Sequence, residues 1–243
     1  MQPESKCLHR VEKCSSLGTG FSPFFLIASL ASLILLMMQA QTAWAVQQVS
    51  NLGEPTVFTY SFSGSLAETV ILAGKFTTGN AAMNIQGATL FLENTPTNGL
   101  GTYELTLYTN GGATPGTLLG TFDTHPTLSE SAGTAQVTFS SITGLAVAAN
   151  TTYWLGIRNT TGDYMGWTMT NSDNQTSSTG WTIADSGMAR SQSTGASWID
   201  AIGDVASFVP RFAVDAVPVP EPNTSWLLAL AGVVGVFRTR RRR

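Results

Sequence analysis

The feature that most limits how this chain can fold is a two-residue alternation of apolar and polar side chains, interrupted at short intervals by Gly, Asn, Pro or Ser. Phe58, Tyr60 and Phe62 alternate with Thr59 and Ser61, and Ala88, Leu90 and Leu92 with Thr89, Phe91 and Glu93. Tyr103, Leu105 and Leu107 repeat the pattern, followed by Val137 and Phe139, by Tyr153, Leu155 and Ile157, and by Phe212 and Val214. Successive side chains of a strand point to opposite faces, so each run describes a strand with one buried face. No 3.6-residue period persists long enough for a helix. Asn98-Gly99, Asn110-Gly111-Gly112 and Thr114-Pro115-Gly116 supply the positive or fixed φ that tight reversals need. The expectation is an all-β domain, a single β-sandwich of jelly-roll type. No regular repeat points to a solenoid.

The two ends of the 243-residue chain do not share this pattern. Lys6, Arg10 and Lys13 precede an apolar run from Phe24 to Met38, and Ala43-Trp44-Ala45 then satisfies the small-x-small rule of signal peptidase. Residues 1–45 are expected to be a secretory signal, cut after Ala45, with Ala43 and Ala45 as the recognition residues. At the other end, Val217-Pro218-Val219-Pro220-Glu221-Pro222-Asn223-Thr224-Ser225 leads into an apolar stretch from Trp226 to Phe237. Arg238, Arg240, Arg241, Arg242 and Arg243 close it. The prolines fix φ and remove backbone donors, which keeps a segment extended. The apolar stretch fits a short membrane helix, and the arginines hold its end on the cytoplasmic side. Twelve residues at about 1.5 Å each span about 18 Å of a hydrocarbon core about 30 Å thick. That is short for permanent residence and sufficient for a transient hold.

The order Pro220-Glu221-Pro222, short apolar run and terminal arginine cluster resembles the PEP-CTERM sorting tail. The resemblance covers about 25 residues and implies recognition by an exosortase in a bacterium that makes exopolysaccharide. It makes Pro220, Glu221 and Pro222 the recognition residues of a substrate. Its implied partners are exosortase and signal peptidase as processing enzymes, the membrane through the carboxy-terminal helix, and exopolysaccharide at the destination. The implied course is export, brief anchoring in the inner membrane, then the cell surface or extracellular matrix of a Gram-negative-type bacterium.

The expected domain, residues 46–216, lies between the signal and a tail of residues 217–243. The run from Leu107 through Asn110-Gly111-Gly112 and Thr114-Pro115-Gly116 to Gly120, followed by Asn150-Thr151-Thr152-Tyr153-Trp154-Leu155, resembles choice-of-anchor domains of the R type. That resemblance implies a surface module and attaches no activity to it.

Charge and residue inventory narrow the chemistry. Eight of the twelve bases lie in the two ends, leaving four bases against thirteen acids between Val46 and Glu221. Such a body repels phosphate backbones, which argues against nucleic acid as a partner. Cys7 and Cys14 both precede the signal-peptidase site, so the mature chain holds no cysteine and one histidine, His125. That excludes zinc sites and Cys-His nucleophiles, and no Gly-x-Ser-x-Gly elbow is present. Asp173, Asp200 and Asp204 match no calcium loop. No cofactor, metal or catalytic residue is expected, and the chain is expected not to be an enzyme. Trp167, Trp181 and Trp198 sit among Gly, Ser, Thr and Asn and are candidate glycan contacts, against the alternative that they plug the core. A carbohydrate-binding module is therefore the second reading, and a hydrolase with a carboxylate pair the third.

Overall fold

In the computed structural model, the residues that the structure describes are 44–63, 69–94, 102–126, 133–161, 164–200 and 208–219. Pro220 to Arg243, Ala43 and Asp204, on which sequence expectations rest, lie outside them. Every alternating run forms a strand: β2 (Phe58–Ser63), β4 (Met83–Asn94), β5 (Tyr103–Asn110), β7 (Gly133–Val147), β8 (Thr152–Asn159) and β14 (Phe212–Pro218). Between them lie β1 (Val46–Ser50), β3 (Ile71–Thr77), β6 (Pro115–Thr121), β9 (Tyr164–Thr170) and β11 (Thr182–Ser191). The two-residue strands are β10 (Thr176–Ser177), β12 (Ile199–Asp200) and β13 (Val209–Pro210). No helix is formed among the described residues beyond a single-residue turn at Thr69.

The strands make two sheets in which all pairing is antiparallel. One sheet has eight strands along the path β10-β1-β14-β4-β9-β13, with β2 added to β9 and β7 to β4; the other has six in the order β12-β11-β3-β8-β5-β6. Their inner faces share one core, with Leu72, Phe76, Leu105 and Leu155 from the six-stranded sheet against Leu90, Phe139, Trp167 and Phe212 from the other. The approach is close. A Cβ on Gly74 of β3 would sit 3.1 Å from Pro210 and 3.2 Å from Phe212 and Trp167 of the facing sheet. The result is an all-β, sandwich-like body with curled sheets.

Curling has a local cause in β7. Its pairing with β4 jumps from Ser140↔Gly87 to Leu145↔Ile85, so residues 141–144 bulge out of the ladder. Gly144 takes φ 71° at the end of the bulge, a left-handed conformation that glycine enters without steric cost. The turn expected at Asn110-Gly111-Gly112 is also present: Gly111 N–H donates to Thr114 O at 2.9 Å and Gly112 adopts φ 103°.

The last strand, β14, is interior. It pairs on one side with β1, Val46 opposite Ala216, and on the other with β4, Phe212 opposite Leu90 through Pro218 opposite Met83. The first and last strands of the described body are thus neighbours, and both adjoin the segments expected to be processed.

Candidate functional site

The place where the folded body meets its tail is built by β14 and the connections around its end. After Pro218, Val219 N–H still donates to Ala82 O at 3.3 Å, so the ladder holds through Val219. Val46, the residue after the expected signal-peptidase cut, already belongs to β1 and is 58% exposed, with Ala45 and Trp44 exposed before it. The neighbouring connections seal this end of the body. Thr78 N–H donates to Thr151 O at 3.0 Å, Asn150 N–H to Gly79 O at 2.7 Å, and the Thr78 hydroxyl to Ala148 O at 2.6 Å. Asn150 does this at φ 48°, a left-handed position that asparagine tolerates.

The candidate glycan tryptophans separate into two kinds. Trp167 is fully buried on the inner face of β9, and its indole nitrogen donates to Arg211 O at 3.0 Å. Trp181 is 2% exposed and stacks on Phe76, with centroids 6.0 Å apart and planes within 3°. Gly79 makes room for it, since a Cβ there would lie 2.7 Å from the indole. Neither ring offers a face to a sugar, which corrects the expectation for both. Both rings went into the core because burial there removes so much apolar area from water. A signal for Trp167 was present: Met165, Trp167 and Met169 alternate with Gly166, Thr168 and Thr170.

Trp198 differs, being half-buried on the outer face of the six-stranded sheet. It meets Tyr108 edge to face at 5.2 Å, beside the fully buried Trp154. Trp154 donates its indole N–H to Asn110 Oδ1 at 3.0 Å, and Lys75 Nζ stands 5.4 Å from its ring centroid. The segment 192–198 carries Trp198 over this face. Hydroxyls of Ser191, Ser193 and Ser197 fasten it, with the amides of Gly195 and Ser197 donating to Ser191 and Ser193 at 2.9 Å. Burial pushes the Tyr108 phenol up from its ordinary value. Trp198 Nε1 has no hydrogen-bond partner in the protein. Nearby, Arg158 pairs with Glu104 at 2.8 Å.

A second buried polar centre lies at the β13–β14 junction. The Arg211 guanidinium packs 4.0 Å from the centroid of the Phe91 ring and donates to Thr56 Oγ1 and Leu52 O, tying segment 51–57 over the sheet. Burial lowers its pKa, opposed by the charge of Glu54. This is a structural clasp whose side chain is 4% exposed. His125 and Asp173 are exposed. Among the described residues, no group of three or more His, Cys, Asp or Glu is arranged to hold a metal ion, and no helix is long and apolar enough to cross a membrane. Of Asp200 the backbone alone is described, in β12. A crevice lined by Asn51, Ser172, Asp173, Gln175 and Val209 has about 170 Å³ of empty space, open solvent included, below the range usual for small-molecule sites.

Fold and tail together define a class: an antiparallel all-β body joined without a spacer to a carboxy-terminal address. Residues 218–243 match the family model described as the PEP-CTERM protein-sorting motif, which contains Pro220, Glu221 and Pro222 and the arginine cluster. The motif implies an exported protein, processed by an exosortase and sorted to the cell surface. No curated protein and no solved structure matches the chain.

Proposed function

We propose that the chain is a non-enzymatic component of the bacterial cell surface or extracellular matrix, associated with exopolysaccharide or biofilm and delivered by its sorting tail. The observation that carries this reading is that the motif begins at residue 218, where β14 ends, so the whole described body is the cargo of the address. In this reading residues 1–45 are a signal peptide, and the stretch from Trp226 to Phe237 is a membrane helix that is used once. Exosortase processing then frees residues 46–216 as a choice-of-anchor-like module. The jelly-roll assignment belongs to the same proposal and is supported by the all-antiparallel pairing and the adjacency of β1 and β14. Mass spectrometry of the native protein from cells with and without the exosortase tests it: a shortened carboxy terminus only in the presence of the enzyme is expected. An intact Arg243 in both refutes the sorting step.

The second reading, carbohydrate binding, is favoured by one observation, the half-buried Trp198 beside Tyr108 and the polar groups of Lys75 and Asn110. Trp198 Nε1 is itself buried, so a sugar would meet the ring and not its N–H. On a glycan array, binding that disappears in Trp198→Ala while the variant stays folded would establish a module; no binding by the wild type leaves the matrix reading alone.

A further inference from the structure

Charge is distributed unevenly along the strand direction of the body. The chain carries no Asp, Glu, Lys or Arg from Phe76 to Leu92, from Leu105 to Phe122, from Gly133 to Ile157, from Asn174 to Ala184 or from Ala216 to Pro220. Pair registers bring the middles of these stretches to one end. Met83 lies opposite both Val147 and Pro218, Thr77 opposite both Thr152 and Thr182, and Thr109 opposite Tyr153. The connections β3–β4, β5–β6, β7–β8 and β10–β11 therefore cluster around the point where the tail leaves, and none contains a charge. The nearest charges, Lys75, Asp185 and Asp215, sit within strands, and Asp123, whose amide donates to Ser140 O, lies level with Gly87 and Asp215. Glu93, Glu104 and Arg158 lie toward the opposite end, paired with Thr134, Arg158 and Glu104 respectively. Exposed at the uncharged end are Ala81, Ala82, Ala146 and Ala148, with Val46 and Val219 at 58% and 37%.

Tether length says what this end faces. Six residues, Pro220 to Ser225, separate Val219 from the apolar stretch that opens at Trp226. The seven Cα–Cα steps from Val219 to Trp226 reach at most about 25 Å. We propose that, while the tail is in the membrane, this uncharged end is a docking face laid against the phospholipid surface, with the charged end turned away. The inference rests on the tail being membrane-inserted before processing. A phospholipid surface bearing anionic headgroups repels acids, and any charge pressed into the interface loses hydration. An end of alanine, valine, threonine, asparagine and glycine meets neither penalty. The face acts as an orienting stop: it holds the strands of the body upright on the surface instead of letting the body tip over its tether.

The test uses protein purified with its tail from cells lacking the exosortase, where the signal-processed chain is free of cysteine. Single-cysteine variants Ala82→Cys, Ala148→Cys and Thr134→Cys are labelled with an environment-sensitive fluorophore. They are then reconstituted in phosphatidylethanolamine–phosphatidylglycerol vesicles containing headgroup-labelled quencher lipid. β4 rises about 3.4 Å per residue, which separates the level of Thr134 clearly from that of Ala82. Loss of emission at the two alanine positions and none at Thr134 is the expected result. Equal quenching at all three positions, or none at any while the protein floats with the vesicles, overturns the docking face and leaves the sorting reading standing. Protein that does not float with vesicles at all overturns the inference together with the membrane step beneath it.

Discussion

The indole nitrogen of Trp167 donates to the carbonyl oxygen of Arg211 at 3.0 Å, across the junction at which β9, β4 and β14 meet. The same carbonyl accepts the Phe91 amide at 3.1 Å, so one oxygen holds strands from two directions. Trp167→Ala is expected to lower stability by about 3–5 kcal/mol, the range for emptying a large aromatic site in a core. Trp167→Phe keeps most of the packing and leaves Arg211 O with its other donor, so about 1–2 kcal/mol is expected. Urea unfolding followed by fluorescence checks both, and equal losses for the two variants would show that the hydrogen bond, rather than the volume, dominates.

Arg211 itself predicts a local effect. Lysine in its place keeps the charge but cannot donate to Thr56 and Leu52 from a planar fork while lying on the Phe91 ring. Arg211→Lys should cost about 2 kcal/mol and release segment 51–57. Limited digestion at Glu54 by a glutamate-specific protease should then outpace that of the wild type. Unchanged digestion would mean that the segment is held by its backbone bonds alone, such as Glu54 N–H to Asn51 O at 3.1 Å.

Asp215 gives a pH dependence with a definite sign. It lies on β14 opposite Gly87, and burial raises its carboxyl pKa. The native state therefore holds this proton to higher pH than the unfolded chain, whose aspartates ionise near about pH 4. Stability is highest below that value and declines as pH rises through the raised folded pKa. Asp215→Asn should be more stable than the wild type at neutral pH, with the difference vanishing below about pH 4. Thermal melts across that range measure it.

Tyr103 governs the alkaline limb. Burial, aided by Tyr164, pushes its phenol up to about 12 from 10.0. The folded state keeps the proton longer, so stability is fully present below pH 10 and is lost as pH rises toward 12. In Tyr103→Phe that limb should be shallower in urea titrations. Tyr108 and Tyr164, also raised, contribute what remains.

A strand with one wet face could be read from sequence directly: Val137 and Phe139 of β7 face the core while Gln136, Thr138 and Ser140 are exposed. β5 and β8 keep the same period in composition although Tyr108 and Trp154 make their outer faces dry as well. β3 hides its period: Ile71, Leu72 and Ala73 are all buried, since segment 192–198 covers the outer face above Ala73 and Trp154. β9 differs: its alternation stands in the sequence, but Thr168 and Thr170 are as inaccessible as Trp167. Thr168 Oγ1 donates to Phe91 O at 2.8 Å, so polar composition there reports a hydrogen bond, not exposure. Strand order was equally illegible, because alternation says which face is buried and nothing about which strand lies alongside. The tail was legible for the opposite reason: it is read linearly, by composition and order.

The position of β14 sets the timing of maturation. Val46 and Ala216, neighbours in the ladder, are separated by nearly the whole body in sequence, and β4 on the other side cannot be satisfied until β14 arrives. A chain threaded outward from its amino terminus thus keeps a vacant slot in the middle of its larger sheet until almost the last residue has crossed. Such late, long-range closure makes folding slow. Until then β1 and β4 each present an unpaired row of backbone groups toward the gap that β14 will fill.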